Sequence, residues 1–361
     1  MVMKILDWYI IKKYLGTFFY SITLLILVVI VFDISEKIDD FIRNNAPLHA
    51  IIFDYYLNFI PYFVNLFIYL FSFIAVVFFT SRLAGNTEII AMLSSGISFR
   101  RLLRPYMMVA VFLAIFSFML RSFLIPVTNH NLRIFTNKYI KKLVKDRERN
   151  IHVQLRPGTF AYVESYNIKR RTGYRFALEK FDGERLVYKL NSRKIIRDTV
   201  THKWVIYDYY ILKFDSLGNQ KLESGYMKDT TLPLKPTDLY KIKHRYEEMN
   251  YFQLNEYIRK EKERGSLSYK HYEVEKYKRF AGPVAILILT LLGVALTSRK
   301  VRGGIGMHLG LGIGLAFSYI LLMQISVVFS TQGNLPPSIG VWIPNFIFLI
   351  IALFLLKKAP K

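Results

Sequence analysis

Six apolar runs, each close to twenty residues long, fix most of what this chain can become. They fall at about 14–32, 55–79, 105–125, 280–297, 307–329 and 339–356. At a rise of about 1.5 Å per residue, each is long enough to cross a hydrocarbon layer roughly 30 Å thick as a helix. Only helices and closed barrels satisfy their own backbone hydrogen bonds in that layer, so the runs read as six transmembrane helices. The third and fourth runs are far apart, and the others lie close together. The expected division is therefore 1–125 for helices one to three, 126–279 for an inserted extramembrane domain, and 280–361 for helices four to six. After the first run, Phe32-Asp33-Ile34-Ser35-Glu36 is bulky and acidic and offers no small-residue cleavage site, so that run reads as a retained span.

Charge orients the spans. Segments 1–13, 81–104, 298–306 and 357–361 hold thirteen Lys/Arg, whereas 33–54 and 330–338 hold two. This bias places both termini and the basic loops in the cytoplasm and domain 126–279 on the opposite side, the periplasm in a bacterium. That domain carries 34 Lys/Arg against 19 Asp/Glu, much of the chain's net charge of +24. Between membrane spans, phosphorylated lipid is a better anion for such a field than nucleic acid. The chain has no cysteine, which excludes disulfides, thiolate metal sites and cysteine nucleophiles.

The inserted domain reads as all-β. Between Ile151 and Leu232, five or six short runs are rich in Val, Ile, Tyr, Phe and Thr, among them Thr159–Tyr166, Tyr174–Phe181, Arg185–Ile196 and Lys203–Phe214. Arg156-Pro157-Gly158, Asp182-Gly183-Glu184 and Leu217-Gly218-Asn219 supply turns between them. A jelly roll or sandwich closes such a set of strands. Asn250–Arg264 follows as a short helix, capped by Asn250 and stopped by Gly265, and a second helix over Tyr269–Arg279 leads into span four.

The chain lacks a phosphate-binding loop motif, a nucleophile elbow and any His pair with metal-ligand spacing. Ionisable residues within the spans are scarce, with Arg121 toward the outer end of span three. These absences count against an enzyme and an ion-coupled transporter. The loop between spans two and three is more informative. Asn86 or Thr87 can cap a helix over about 86–96 with Glu88 in its first turn, and Gly96 can end it. Ile89, Ile90, Met92 and Leu93 give that helix an apolar face, suited either to docking a soluble partner or to lying on lipid headgroups.

The layout, with several stretches in order along the chain, resembles the LptF/LptG (YjgP/YjgQ) family of lipopolysaccharide export permeases. Leu6-Asp7-Trp8-Tyr9-Ile10, Thr87–Met92 through Gly96, Ile125-Pro126 through Arg133, and Trp204 carry the first part of the resemblance. Tyr272–Glu275 through Arg279, Pro283, Arg302-Gly303-Gly304, Leu335-Pro336-Pro337 and Trp342-Ile343-Pro344-Asn345 carry the rest. It implies a heterodimer with a paralogous permease subunit, served by two copies of a cytoplasmic ATPase that holds the ATP and Mg; this chain itself binds no cofactor. It implies extraction of lipopolysaccharide from the inner membrane and its transfer, through a periplasmic jelly-roll domain, to a membrane-anchored periplasmic protein of similar fold.

The resemblance also implies site residues. Glu88 matches a glutamate that contacts the ATPase, with Ile89, Ile90, Met92 and Leu93 beside it. Arg133 matches a cation that faces the lipid's phosphates, and Lys138, Lys141 and Lys142 lie close by, although a solvated basic helix has the same composition. Phe160, Tyr162, Phe176, Leu178, Trp204 and Ile206 are the strand residues suited to line a lipid conduit. Some members carry a lysine late in span one; here Val28-Val29-Ile30-Val31-Phe32 stands instead, with no cation until Lys37. Two rivals remain: an ABC-type subunit acting on periplasmic proteins, which generally has four spans, and a membrane-bound enzyme of envelope synthesis, for which no catalytic constellation is visible.

Overall fold

The structure is a computed structural model that describes residues 5–140, 147–198, 203–215, 219–232, 234, 236–239, 245–265, 268–298 and 304–358. Among the described residues, six helices are long and apolar enough to cross a membrane. In chain order, α1 is Ile5–Arg43, α2 Leu57–Gly85, α3 Glu88–Ser94, α4 Phe99–Met119 and α5 Ile125–Tyr139. Strands β1 (Arg147–Arg156) to β6 (Gln220–Thr230) follow, with β2 Thr159–Asn167, β3 Thr172–Asp182, β4 Arg185–Arg197 and β5 Trp204–Phe214. Then come α6 (Tyr251–Arg264), α7 (Tyr269–Thr297), α8 (Gly304–Gln332), α9 (Pro337–Gly340) and α10 (Ile343–Lys357). Six membrane helices in two groups of three, with a β domain inserted between the groups, are the architecture that the hydrophobic runs require.

The chain forms two compact units, one of residues 1–135, 246–254 and 270–361, the other of 136–245 and 255–269. The expected domain limits of 126 and 279 therefore shift. Residues 126–135 and 270–279 belong to the helical unit, because α5 and α7 run on past their apolar stretches.

In the helical unit, α2 and α7 are the most enclosed spans, and α1 and α8 keep largely open faces. Small and hydroxylic residues hold the spans together where hydrocarbon provides no hydrophobic drive. Buried Tyr14 on α1 shares hydrogen bonds with Ser72 Oγ on α2 (2.5 Å) and Thr290 Oγ1 on α7 (3.0 Å). On α10, Asn345 accepts from Tyr319 of α8 (2.8 Å) and donates to Ala281 O of α7 (2.9 Å). Small residues let helices approach closely, and span five carries four glycines over 306–314. Gly312 does so, since an added Cβ would stand 3.0 Å from Val77, whereas Gly306, Gly310 and Gly314 face open space in this chain. π-helical turns interrupt two spans, Ile51–Tyr56 ahead of α2 and Leu120–Leu124 between α4 and α5. Such insertions often occur at functional sites.

The β unit is a single antiparallel sheet in chain order β1 to β6. Its connectivity is a plain meander, without the crossovers of a Greek-key jelly roll. One core cluster collects Leu155, Val163, Phe176, Leu178, Leu190, Ile195, Trp204, Ile206 and Ile211 from β1 to β5, so the sheet curls around a common interior. A crease makes this possible. Asn150, Glu164, Arg175, Arg193, Asp208 and Tyr226 occupy one row across all six strands, and each ladder skips its pair there. Asn150, Arg175 and Asp208, on alternate strands, take positive φ. The inward positions change parity at the row: Trp204 and Ile206 are buried on one side of Asp208, and Ile211 on the other. Because the row faces outward, it is charged, and Arg175–Glu164 and Arg193–Asp208 pair across it at 2.7 Å each.

The helix after the sheet begins as its sequence indicates. Asn250 Oδ1 accepts from Gln253 N (2.9 Å) and Gln253 Oε1 accepts from Asn250 N (3.0 Å), a reciprocal capping box, and Gly265 ends α6 with φ 75°. The turn over 216–218 lies outside the described residues.

Candidate coupling and lipid-contact sites

At one end of the helical unit, α3 stands between α2 and α4 and is fastened to α1. Thr87 is its N-cap residue but does not cap it through its side chain. Its backbone is left-handed (φ 61°), a costly conformation for a β-branched residue, and the helix starts at a sharp corner. Glu88 is half-buried: Tyr9 OH of α1 donates to its Oε2 at 3.0 Å and Asn86 Nδ2 to its Oε1 at 3.3 Å. The four apolar residues of α3 do not share one fate. Ile89 is 1% exposed and belongs to the bundle core with Leu83, Ala84, Phe99 and Leu102. Met92 and Leu93 pack partly against that core, and Ile90 is half exposed. Seven residues make two turns, so a helix this short cannot both anchor itself and offer its whole apolar face outward. Nearby, Arg101 at the start of α4 binds the buried Asp7 of α1 at 2.5 Å. In the sequence Leu6–Ile10 is only a motif; the roles of Asp7 and Tyr9 become visible where α1, α3 and α4 meet.

The opposite end of the helical unit, from which the β unit is inserted, is polar. Asp33 on α1 is buried and accepts from Tyr55 OH and Tyr56 OH, each at 3.2 Å, and from Lys37. The π-helical turn presents those two tyrosines side by side. Lys37, the first cation after span one, lies over the rings of Tyr55 (5.1 Å) and Phe59 (5.7 Å). Its charge is thus balanced by Asp33 and half enclosed by aromatic rings. Arg133 on α5 donates through Nε to Glu248 Oε1 at 2.5 Å, and His130 approaches both residues, at 3.3 and 3.4 Å. Lys138, further along α5, is exposed, with its ammonium 4.7 Å from the ring of Tyr139. Lys141 and Lys142 lie outside the described residues.

Near Arg133, two further arginines are held by groups distant in sequence. Arg121, on the second π-helical turn, binds Glu275 of α7 through Nε and Nη2 at 3.0 and 3.1 Å. Arg279 is 1% exposed and donates from Nη2 to Met249 O at 2.8 Å and Tyr246 O at 3.3 Å, holding the segment that returns from the sheet. Burial, followed by the nearby charge of Glu275, pushes the Glu247 carboxyl up to about 7 against the pull of Arg121. At Arg133 and Arg121, an incoming anion would have to displace the carboxylate of Glu248 or Glu275.

In the β unit, the six conduit candidates divide between the two faces of the sheet. Phe176, Leu178, Trp204 and Ile206 are buried in the common interior, and Trp204 Nε1 donates to Leu234 O at 2.8 Å. Phe160 and Tyr162 point the other way. They pair with Glu179 and Ala177, whereas Ala161 and Val163 between and beyond them pair with Leu178 and Phe176. On that second face, Phe160, Tyr162, His152, Gln154 and Glu179 help line a cavity of about 630 Å³. The sequence run offered both sets as apolar; the pleat, with its period of two, separates them.

A profile of the lipopolysaccharide export system permease LptF/LptG matches residues 8–358. No curated protein matches the chain. The match runs from Trp8 to Lys358, across all six membrane-capable helices and the inserted sheet. The chain belongs to the LptF/LptG family of lipopolysaccharide export permeases.

Proposed function

We propose that the chain is one permease subunit of an ATP-driven exporter in the bacterial inner membrane, with both termini in the cytoplasm. It pairs with a paralogous subunit and with two copies of a cytoplasmic ATPase that holds the nucleotide and Mg. It moves lipopolysaccharide from the outer leaflet into its β unit and on to a membrane-anchored periplasmic protein of similar fold. The observation that carries this reading is α3. It offers Glu88 and Ile90 at a basic end of the bundle while Ile89, Tyr9 and the Asp7–Arg101 pair tie it to α1 and α4. Force applied to α3 is thereby delivered to the spans. The open faces of α1 and α8 are where the paralogous subunit packs. A mechanotransmission subunit or an envelope enzyme fits less well, since neither reading uses the full-length family match.

Sidedness is tested with single cysteines in the otherwise cysteine-free chain. Glu184→Cys, in the exposed β3–β4 turn, reacts with an impermeant thiol reagent supplied to the periplasm, and Gly85→Cys, at the exposed end of α2, does not. The reverse pattern inverts the topology.

For the lipid, we take Glu248 as the carboxylate that a phosphate displaces from Arg133. A charge-assisted contact is worth about 1.5–3 kcal/mol, so Arg133→Glu lowers photocrosslinking of lipid at the exposed neighbour Ile134 by tenfold or more. Glu248→Gln, which removes the competitor, raises it. Equal crosslinking in all three proteins assigns Arg133 and Glu248 to a structural pair.

A further inference from the structure

Arg100 and Arg104 stand four residues apart in the first turns of α4, a spacing that puts both on one face of the helix. Both are exposed, and neither has an acidic partner among the described residues. Arg101 between them differs: it is turned toward Asp7 and paired. Along the face that carries the two unpaired arginines, Leu103, Met107, Met108 and Val111 complete a groove of about 590 Å³. Its size falls within the roughly 300–1,000 Å³ of small-molecule sites. From Arg100 to Val111 the helix rises about 16 Å, and the apolar run of this span begins at Pro105. Met107, Met108 and Val111 therefore lie within the hydrocarbon layer, and the two guanidinium groups stand at its edge.

We propose that this groove holds one acidic glycerophospholipid, with its phosphate between Arg100 and Arg104 and an acyl chain along Leu103, Met107, Met108 and Val111. The chemistry favours that occupant over others. A soluble protein docked at the arginines does not reach Met108 or Val111, about one and two turns beyond Arg104 and within the apolar run. A neighbouring span covers the methionines but leaves two cations at the hydrocarbon edge without an anion. A lipid with one phosphate and one chain in the groove meets both requirements at once. Guanidinium groups bind phosphate oxygens in paired hydrogen bonds, and unbranched, polarisable methionines adapt to a flexible chain. The same helix turn that binds this lipid carries Arg101, so an occupied groove fixes the start of α4 at the membrane face while α3 is loaded. The choice of the cytoplasmic leaflet rests on the proposed topology; the binding itself does not.

The test uses the full chain, purified and returned to nanodiscs of phosphatidylcholine doped with phosphatidylglycerol, with retained lipid counted by native mass spectrometry. Each surface cation adds about 1 kcal/mol of attraction to an acidic lipid, about fivefold, so Arg100→Gln with Arg104→Gln lowers phosphatidylglycerol retention about 25-fold. Phosphatidylcholine retention stays unchanged. Arg100→Lys with Arg104→Lys restores most of the acidic lipid, and Met108→Trp, which fills the groove, reduces it with both arginines intact. Equal phosphatidylglycerol in the wild type and the double glutamine variant overturns the proposal. Retention of the lipid by that variant with loss of the co-purifying ATPase also overturns it and makes the arginines a protein contact. Periplasmic labelling of Gly85→Cys leaves the binding result standing and fails the topology instead.

Discussion

Replacing Glu88 with lysine abolishes lipid release by the proposed exporter while the chain stays folded and at its normal level in the membrane. The carboxylate is held by Tyr9 OH and Asn86 Nδ2, but neither is charged, so its charge remains available to a cation on the proposed ATPase partner. Stranding such a partner cation in a partly desolvated interface costs about 2–5 kcal/mol. Glu88→Ala is milder because it removes the attraction without adding repulsion. An acidic residue introduced on the ATPase restores export by the lysine variant. The neighbours separate coupling from folding. Tyr9→Phe removes one orienting hydrogen bond, worth about 0.5–1.5 kcal/mol, and weakens coupling modestly. Ile89→Ala instead destabilises this chain's own bundle, by about 2–5 kcal/mol, because Ile89 is sealed in the core. Co-purified ATPase and single-turnover lipid release are the readouts. Normal release by Glu88→Lys removes α3 as the input and leaves it a helix lying on headgroups.

Local chemistry made much of the fold legible. The spans were evident because hydrocarbon tolerates few alternatives to a helix of about twenty apolar residues. Strands β2 to β5 were readable within a residue or two, because Pro-Gly and Asp-Gly turns bracket β-branched runs. The cap at Asn250 and the stop at Gly265 are local signals and were legible for the same reason; the reciprocal bond from Gln253 is visible only in the structure.

What was not legible depends on partners distant in sequence. Arg133 looked like an unpaired cation because its carboxylate, Glu248, arrives 115 residues later. Ile89 and Ile90 are adjacent and equally apolar; only the placement of α3 against α2 and α4 decides that one is core and the other exposed. The crease across the sheet defeats simple alternation, since a row that is left-handed on alternate strands reverses which parity faces inward. Phe160 and Phe176 look equivalent in sequence and lie on opposite faces, because the register of β2 against β3 gives them opposite parity.

Arg101→Leu lowers the stability of the purified chain by about 3 kcal/mol, the low end of the 3–5 kcal/mol that follows when one partner of a buried ion pair is removed. The low end applies because the Asp7 side chain is 7% exposed but that of Arg101 is 24% exposed, so water still reaches the pair. The loss arises mainly from the Asp7 carboxylate, which keeps its burial but loses its cation. Asp7→Asn in the same background therefore recovers part of the stability, whereas Asp7→Asn alone is destabilising because it leaves Arg101 without its anion. The non-additivity is the measurement: a thermal-unfolding cycle over the two single variants and the double gives a coupling of 1 kcal/mol or more. Strictly additive effects, within about 0.5 kcal/mol, reduce the 2.5 Å contact to a surface pair of no consequence. Function separates a second way. The pair joins the start of α1 to the start of α4 on either side of α3, so under the proposed mechanism Arg101→Leu retains the ATPase partner but transmits less of its stroke. At a temperature where the variant remains folded, its ATP consumption continues and its lipid release falls, whereas Glu88→Lys loses the ATPase contact itself.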